Sequence, residues 1–153
     1  MNRHDREVAS PDHWVWRLEV AREIASQLDP RRFGVTAMYV IGSAKHATAG
    51  PDSDLDLLVH FHGTEQQREQ LVLWFEGWSL GLDEANHIRT GRRSGGLLDI
   101  HFVTDIDVAA KSSYAVKIGS PTDPALPLPL KRVTPAGEAN IGQPPPGPQD
   151  RNE

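Results

Sequence analysis

The chain has no cysteine among its 153 residues, which excludes disulfide bonds and any metal site built on thiolates. It also has no run of eighteen apolar residues, so no segment predicts a membrane-spanning helix. The amino-terminal residues, MNRHDREVAS, include no apolar stretch of the kind that a secretory signal needs, and we therefore expect a cytoplasmic protein. Lys and Arg number 16 against 21 Asp and Glu, and this net charge of -5 argues against nonspecific binding to nucleic acid.

The residues that are present suit one folded domain, because 38% of the chain is hydrophobic. Prolines become frequent after Gly119, and such a segment cannot form a helix interior or a central strand. We therefore expect a folded domain over residues 1–118, an extended arm over 119–133 and a disordered proline-rich tail over 134–153. A net negative charge does not exclude a nucleotide as ligand, since a metal-bridged triphosphate needs only a local positive patch.

Periodicity and capping residues predict the secondary structure. Ser10-Pro11 favours a helix start, and Thr64 favours another ahead of a long amphipathic stripe. The predicted segments are a helix over 11–28, strands over 35–41 and 55–61, a long helix beginning at 64, and a strand over 97–103. They predict an α+β domain with a small mixed β-sheet and helices packed on it.

The remaining segments are expected to have structural roles. The helical spacing of Trp14 favours core packing over a binding surface shared with Trp16, and that of Trp74 and Trp78 favours core packing over base stacking. Thr104 or Asp105 is expected to cap a helix after the last strand. The segment 111–118 is interpreted as an edge element of the sheet.

The stretch from Val40 to Val59 holds the residues that carry chemistry. Alternate side chains of a strand share a face, so Asp54 and Asp56 point the same way, with Cα atoms about 6.6 Å apart. Two carboxylates at that spacing converge on one divalent cation. Ahead of them, Gly42 lets a phosphate approach the backbone and Ser43 offers a hydroxyl. The stretch predicts a phosphate-binding turn next to a metal site.

Asp99 stands in the middle of the apolar strand predicted over 97–103, where a carboxylate needs a partner. The partner is either a metal ion shared with the earlier aspartates or an arginine. His101 lies on the same face and is either a substrate contact or a polar strand residue. His60 and His62 lie two to three strand steps beyond Asp56, and we do not expect them to be metal ligands.

These motifs, taken in order, resemble the signature of the nucleotidyltransferase superfamily related to DNA polymerase beta, and most closely that of its small stand-alone members. The shared pattern is Gly42-Ser43, ten intervening residues, Asp54-Leu55-Asp56-Leu57, and Asp99 as the third family carboxylate on a later strand. The loop residues that also match are Ala49, Pro51, Asp52 and Ser53. The chain departs from the pattern after Gly42-Ser43, where many members have an arginine and a glycine but this chain has AKHA over 44–47.

The resemblance implies transfer of a nucleoside monophosphate, AMP being expected, from ATP or another nucleoside triphosphate to a hydroxyl of a protein or small molecule. Pyrophosphate would be released, and two Mg²⁺ ions would be bound. The catalytic and metal-binding carboxylates would be Asp54, Asp56 and Asp99. The residues that would bind the nucleotide are Gly42, Ser43, Lys45 and Ser53.

The sequence does not identify the acceptor substrate or a partner protein. Minimal family members act with a helical partner protein or as a homodimer, which implies one of these for this chain. One alternative is a binding module that neutralises a helical partner without turnover, as an antitoxin would. Another is a nucleotide sensor. The three arginines of the turn 89–96, RTGRRSGG, either bind a triphosphate or the acidic surface of a partner, or solvate the tip of a hairpin.

Overall fold

The computed structural model of the protein describes residues 12–46 and 48–131, without the side chains of Asp12 and Ser43. The amino terminus before residue 12, Ala47, the last two residues of the predicted arm and the predicted tail lie outside these ranges. The described elements follow in chain order. They are α1 (Asp12–Gln27), α2 (Pro30–Phe33), β1 (Val35–Ile41), a 3-10 turn (Gly42–Ala44), β2 (Leu55–Phe61), α3 (Glu65–Thr90), β3 (Leu98–Val103), α4 (Asp105–Ala110), a second 3-10 helix (Ser113–Lys117) and β4 (Leu126–Leu128).

Capping residues set both ends of the longest described helix, and the sequence predicted the cap at its start. The Thr64 hydroxyl accepts a hydrogen bond from the Gln67 amide at the start of α3, and the Gln67 side-chain oxygen accepts one from the Thr64 amide. Gly91 ends the helix in the left-handed conformation, with φ of 77°. The same reciprocal arrangement joins Thr104 and Asp107 at the start of α4, which confirms the expected cap.

The four strands form one mixed sheet in the order β3-β2-β1-β4. The pairs β1–β2 and β1–β4 are antiparallel, whereas β2 and β3 are parallel. The parallel register sets Asp56 opposite Asp99 and Leu58 opposite His101. A mixed sheet with helices confirms the predicted fold class.

The two faces of the sheet differ in what covers them. Alternate β2 residues from Leu55 to Phe61 join a main core with α1 and α3 residues such as Ile24 and Phe75. On the opposite face, Leu58 belongs to a smaller cluster. Its other buried members are Ile41, Val103, Ala115 and Ala125. Asp56 and Asp99 share this second, less covered face, so they are reachable from outside.

The carboxy-terminal segments depart from the expected edge element at 111–118. Lys111 and Ser113 have φ near +52°, a left-handed conformation that a strand does not tolerate, and a 3-10 helix follows. An edge strand is formed instead by β4, within the predicted arm, and β3 forms the opposite edge. Pro127 lies in β4 opposite Tyr39, a position that an edge strand allows because one side of it makes no ladder bonds.

The tryptophans occupy the places that helix packing dictates. Trp74 and Trp78 are partly buried against the main core, as their spacing predicted. On α1, Trp16 rather than Trp14 packs there, with Arg89 stacked over its ring at 4.4 Å. The buried side of the first turns of α1 faces the loop before β2 and not the sheet, because Arg17 contacts carbonyls of that loop.

Candidate active site

The turn after β1 brings the backbone against a carboxylate. Gly42 has φ of +74°, and a Cβ atom added there would lie 2.5 Å from Oδ2 of Asp56. Both observations require glycine at this position. The turn is a 3-10 turn over 42–44, and the Ser43 side chain is outside the described part of the structure.

Asp56, Asp99 and His101 come together on the open face of the sheet. One ligand atom from each of them lies within 4.8 Å of the others. The His101 Nε2 atom is 3.3 Å from Oδ2 of Asp99 and 3.7 Å from Oδ1 of Asp56. His101 also packs its ring on Tyr114, with centroids 4.1 Å apart. The sequence placed His101 on the correct face but left its role open.

Asp54 lies just before β2 and is exposed, and it is not part of the three-residue group. Partial burial and the charge of Asp99 raise the pKa of Asp54, while the charge of Arg17 opposes them. Burial raises the pKa of Asp56, and a hydrogen bond and repulsion from Asp99 raise it further. Carboxylates that repel one another in this way, with oxygen and nitrogen donors converging, fit a divalent cation.

Two buried polar residues hold the loop that precedes Asp54. Arg17 on α1 is fully buried, with Nε donating to the Ser53 carbonyl at 2.9 Å and a terminal nitrogen donating to the Pro51 carbonyl at 3.3 Å. Asn86 on α3 donates to the same Pro51 carbonyl at 3.0 Å. Burial lowers the pKa of Arg17, whereas the charge of Asp54 raises it. Sequence reasoning missed both residues, because nothing in α1 or α3 marks a polar residue as buried.

Ser53 and Lys45, both predicted to bind the nucleotide, have partners within the protein. The Ser53 hydroxyl accepts a hydrogen bond from the Gly50 amide at 2.9 Å and so closes the turn. Lys45 Nζ forms an ion pair with Asp123 and donates to the Pro124 carbonyl at 2.6 Å. No local sequence pattern indicates the Lys45 contact, because its partner lies 78 residues further along the chain.

Asp123 contacts two lysines and a histidine. Besides Lys45, His46 Nε2 lies 2.9 Å from Oδ1 and Lys117 Nζ lies 3.0 Å from Oδ2. The hydrogen bonds from Lys45 and Lys117 hold the pKa of Asp123 well below its usual range, with Lys45 the largest cause. The segment that leads into β4 is thereby tied to the turn beside the candidate site.

Two arginines of the turn over 89–96 pair with carboxylates of the same chain. Arg93 pairs with Glu84 at 2.9 Å, and Arg92 approaches Asp52 at 3.8 Å. The turn itself is held by Asp83, which accepts bonds from the Ser94 amide and hydroxyl and from the Gly95 amide. These bonds lower the pKa of Asp83.

His60 and His62 lie apart from the candidate metal group. Both contact Asp105, at 2.6 Å and 2.5 Å, near the start of α4. They therefore occupy a second histidine–carboxylate cluster on the sheet face, away from Asp99.

A small mixed sheet, a glycine turn against a carboxylate and paired aspartates on neighbouring strands define the class of nucleotidyl-transferring domains. Residues 18–88 match the family model described as a nucleotidyltransferase domain, and this match supports a polymerase beta-like nucleotidyltransferase domain over those residues. The assignment supports transfer of a nucleoside monophosphate from a nucleoside triphosphate. The match ends before β3, so Asp99 and His101 are outside it.

Neither the comparison with curated proteins nor that with solved structures gave a match. In residues 12–46 and 48–131, no helix combines the length and apolar character needed to cross a membrane.

Proposed function

We propose that the protein transfers a nucleoside monophosphate, with AMP the expected group, from a nucleoside triphosphate to a hydroxyl of a protein or small molecule. The reaction would use Asp54, Asp56 and Asp99. The observation that supports it most is the direct pairing of Asp56 and Asp99 across β2 and β3, with Gly42 against Asp56. Carboxylate oxygens alone favour Mg²⁺, and two such ions are expected.

Different residues of the chain serve the phosphates and the acceptor hydroxyl. The turn at Gly42-Ser43 leaves room for the phosphates, and Lys45 lies beside it as a candidate cation for the leaving pyrophosphate. The acceptor oxygen forms a bond to the α-phosphorus as the bond to the β-phosphate oxygen breaks, and Asp99 assists removal of the hydroxyl proton. Bound divalent cations would neutralise the charge that develops on the phosphate oxygens.

The test is transfer of label from an α-³²P-labelled nucleoside triphosphate to lysate proteins and to small-molecule hydroxyls. Asp56→Asn should reduce transfer by at least about 100-fold, because the site would lose one of its paired carboxylates. Glu76→Gln, an exposed change on α3, serves as the matched control. Full transfer by folded Asp56→Asn would overturn the proposal.

A binding module that neutralises a helical partner is the second candidate. Its support is the AKHA sequence after Ser43, with Lys45 occupied by Asp123, and a set of exposed apolar residues on α3. Those residues are Val72, Leu73, Leu80 and Ile88. Leu80→Glu should then abolish capture of the partner, while Asp56→Asn should leave capture intact. A homodimer would instead be detected as a molecular mass in solution that increases with protein concentration.

A further inference from the structure

The imidazole of His101 is positioned as part of the candidate metal site. In the parallel register of β2 and β3, His101 follows Asp99 by two residues and therefore points to the same face of the sheet. Its side chain is only 19% exposed and stacks on Tyr114, so the ring has little freedom to turn away. Nε2 is the ring atom that lies close to both carboxylates.

The distances fit direct ligation. Two ligand atoms that each lie about 2.1 Å from a metal ion are about 3.0 Å apart at the octahedral right angle and about 3.4 Å apart at the tetrahedral angle. The separation of Nε2 from Asp99 is 3.3 Å, within this interval, and that from Asp56 is 3.7 Å. A single ion that touches Asp56, Asp99 and His101 therefore requires only small side-chain adjustments.

A nitrogen donor changes which ion the site prefers. Mg²⁺ takes oxygen ligands, whereas imidazole suits transition-metal ions. The geometry points to His101 as a direct nitrogen ligand of the ion held by Asp56 and Asp99, which shifts the preference of the site from Mg²⁺ toward transition-metal ions that accept imidazole, such as Fe²⁺ and Zn²⁺. This inference rests on the proposed function, because it concerns the metal site of the same reaction.

Mn²⁺ is the probe, since its electron spin detects directly bound nitrogen. Pulsed electron paramagnetic resonance of the wild-type protein with Mn²⁺ alone should show modulation from ¹⁴N, and incorporation of ¹⁵N-histidine should change that modulation. This comparison needs no mutation and cannot fail through misfolding. Absence of histidine nitrogen coupling in Mn²⁺-loaded protein would overturn the inference.

A variant assigns the nitrogen to one residue. His101→Phe keeps a ring against Tyr114 and removes the donor, so we expect loss of the modulation and at least about tenfold weaker Mn²⁺ binding. Mg²⁺ binding should weaken less than about threefold. His60→Phe is the matched control, since His60 lies on the same sheet face but bonds to Asp105. Unchanged Mn²⁺ affinity in folded His101→Phe would also overturn the inference.

Asp56→Asn separates the two levels of failure. If Mn²⁺ binding depends on Asp56 but shows no histidine nitrogen, the metal site of the proposed function stands and the assignment of His101 fails. If Mn²⁺ does not bind, or binds equally to Asp56→Asn, the metal site itself fails, and with it both the assignment and the proposed reaction.

Discussion

Gly42 meets two constraints at one residue, a left-handed φ and a carboxylate oxygen 2.5 Å from any added Cβ. Gly42→Ala must displace Asp56 or distort the turn. We expect a loss of about 1 to 2 kcal/mol in the free energy of unfolding from the backbone conformation alone. Binding of Mn²⁺ should weaken by at least about tenfold as Asp56 moves. Calorimetry and denaturant unfolding measure both quantities.

The neighbouring loop supplies the control for that change. Gly50 has no atom within 4 Å of an added Cβ. Gly50→Ala should therefore alter the free energy of unfolding by less than about 0.5 kcal/mol and leave Mn²⁺ binding unchanged. Equal effects at the two glycines would show that the contact between Gly42 and Asp56 is not what matters.

Asp56 is expected to lower the stability of the metal-free protein. Burial and Asp99 raise its pKa in the folded state above the value of 3.8 for a free side chain. Between the two pKa values the folded state binds more protons than the unfolded state, so the free energy of unfolding falls as pH rises through that window. Asp56→Asn should therefore raise Tm at neutral pH by about 2 °C or more.

The advantage of Asp56→Asn should vanish below the unfolded pKa, where the wild-type carboxyl is protonated in both states. Added Mg²⁺ should then raise Tm of the wild type more than that of the variant. Thermal melts from acid to neutral pH, with Glu76→Gln as reference, test both statements. A variant less stable than wild type at neutral pH without metal would contradict them.

At the scale of elements, α1 and α3 affect the site through the loop that precedes Asp54. Arg17 on α1 and Asn86 on α3 both donate hydrogen bonds to carbonyls of this loop. Arg17→Lys keeps a charge but loses the fork that reaches two loop carbonyls. We expect a decrease of about 1 to 3 kcal/mol in the free energy of unfolding. Because the loop leads into Asp54, affinity for a nucleoside triphosphate should fall as well.

Urea unfolding and calorimetry with ATP measure these two effects. Arg22→Lys, on the exposed side of α1, is the matched control and should leave both quantities unchanged. A fully stable Arg17→Lys protein would mean that the loop keeps its shape without the fork.

How far the sequence predicts an element depends on whether its cause is local. The bounds of β1 and β2 and the capped start of α3 follow from alternation and from Thr64, signals contained in a few neighbouring residues. The strand β4 has three residues, one of them proline, and exists because β1 offers a free edge. No local pattern encodes that pairing.

The same distinction applies to the site. The sequence predicted that Asp56 and Asp99 meet, because the alternation of each strand fixed the face and the family resemblance supplied the pairing. It could not predict that Lys45 pairs with Asp123, or that Nε2 of His101 turns toward the carboxylates. Both depend on side-chain conformations set by distant segments, the approach to β4 in one case and Tyr114 in the other.

At the scale of the whole molecule, Asp123 competes with any phosphate for Lys45 and His46. If Lys45 serves the triphosphate as proposed, Asp123→Asn should tighten ATP binding by about threefold or more, since a neutral amide holds the amine less strongly. Lys45→Met should weaken it. Calorimetry with ATP measures both changes.

Asp105→Asn removes the same charge from a carboxylate that pairs with histidines, and it corrects for the change in net charge. Weaker ATP binding in Asp123→Asn than in Asp105→Asn would indicate that Lys45 holds the approach to β4 and leaves the phosphates to the backbone of the turn.

The position of β4 in the chain affects how the protein is made. The edge of β1 that β4 covers is synthesised 85 residues before β4 begins. At ribosomal speeds of 5 to 20 residues per second, that edge waits roughly 4 to 17 s for its partner. During this interval β1 presents free amides and carbonyls to any neighbouring nascent chain. Translation that stalls before residue 126 should therefore yield products more prone to strand-to-strand aggregation than chains released with β4 paired to β1.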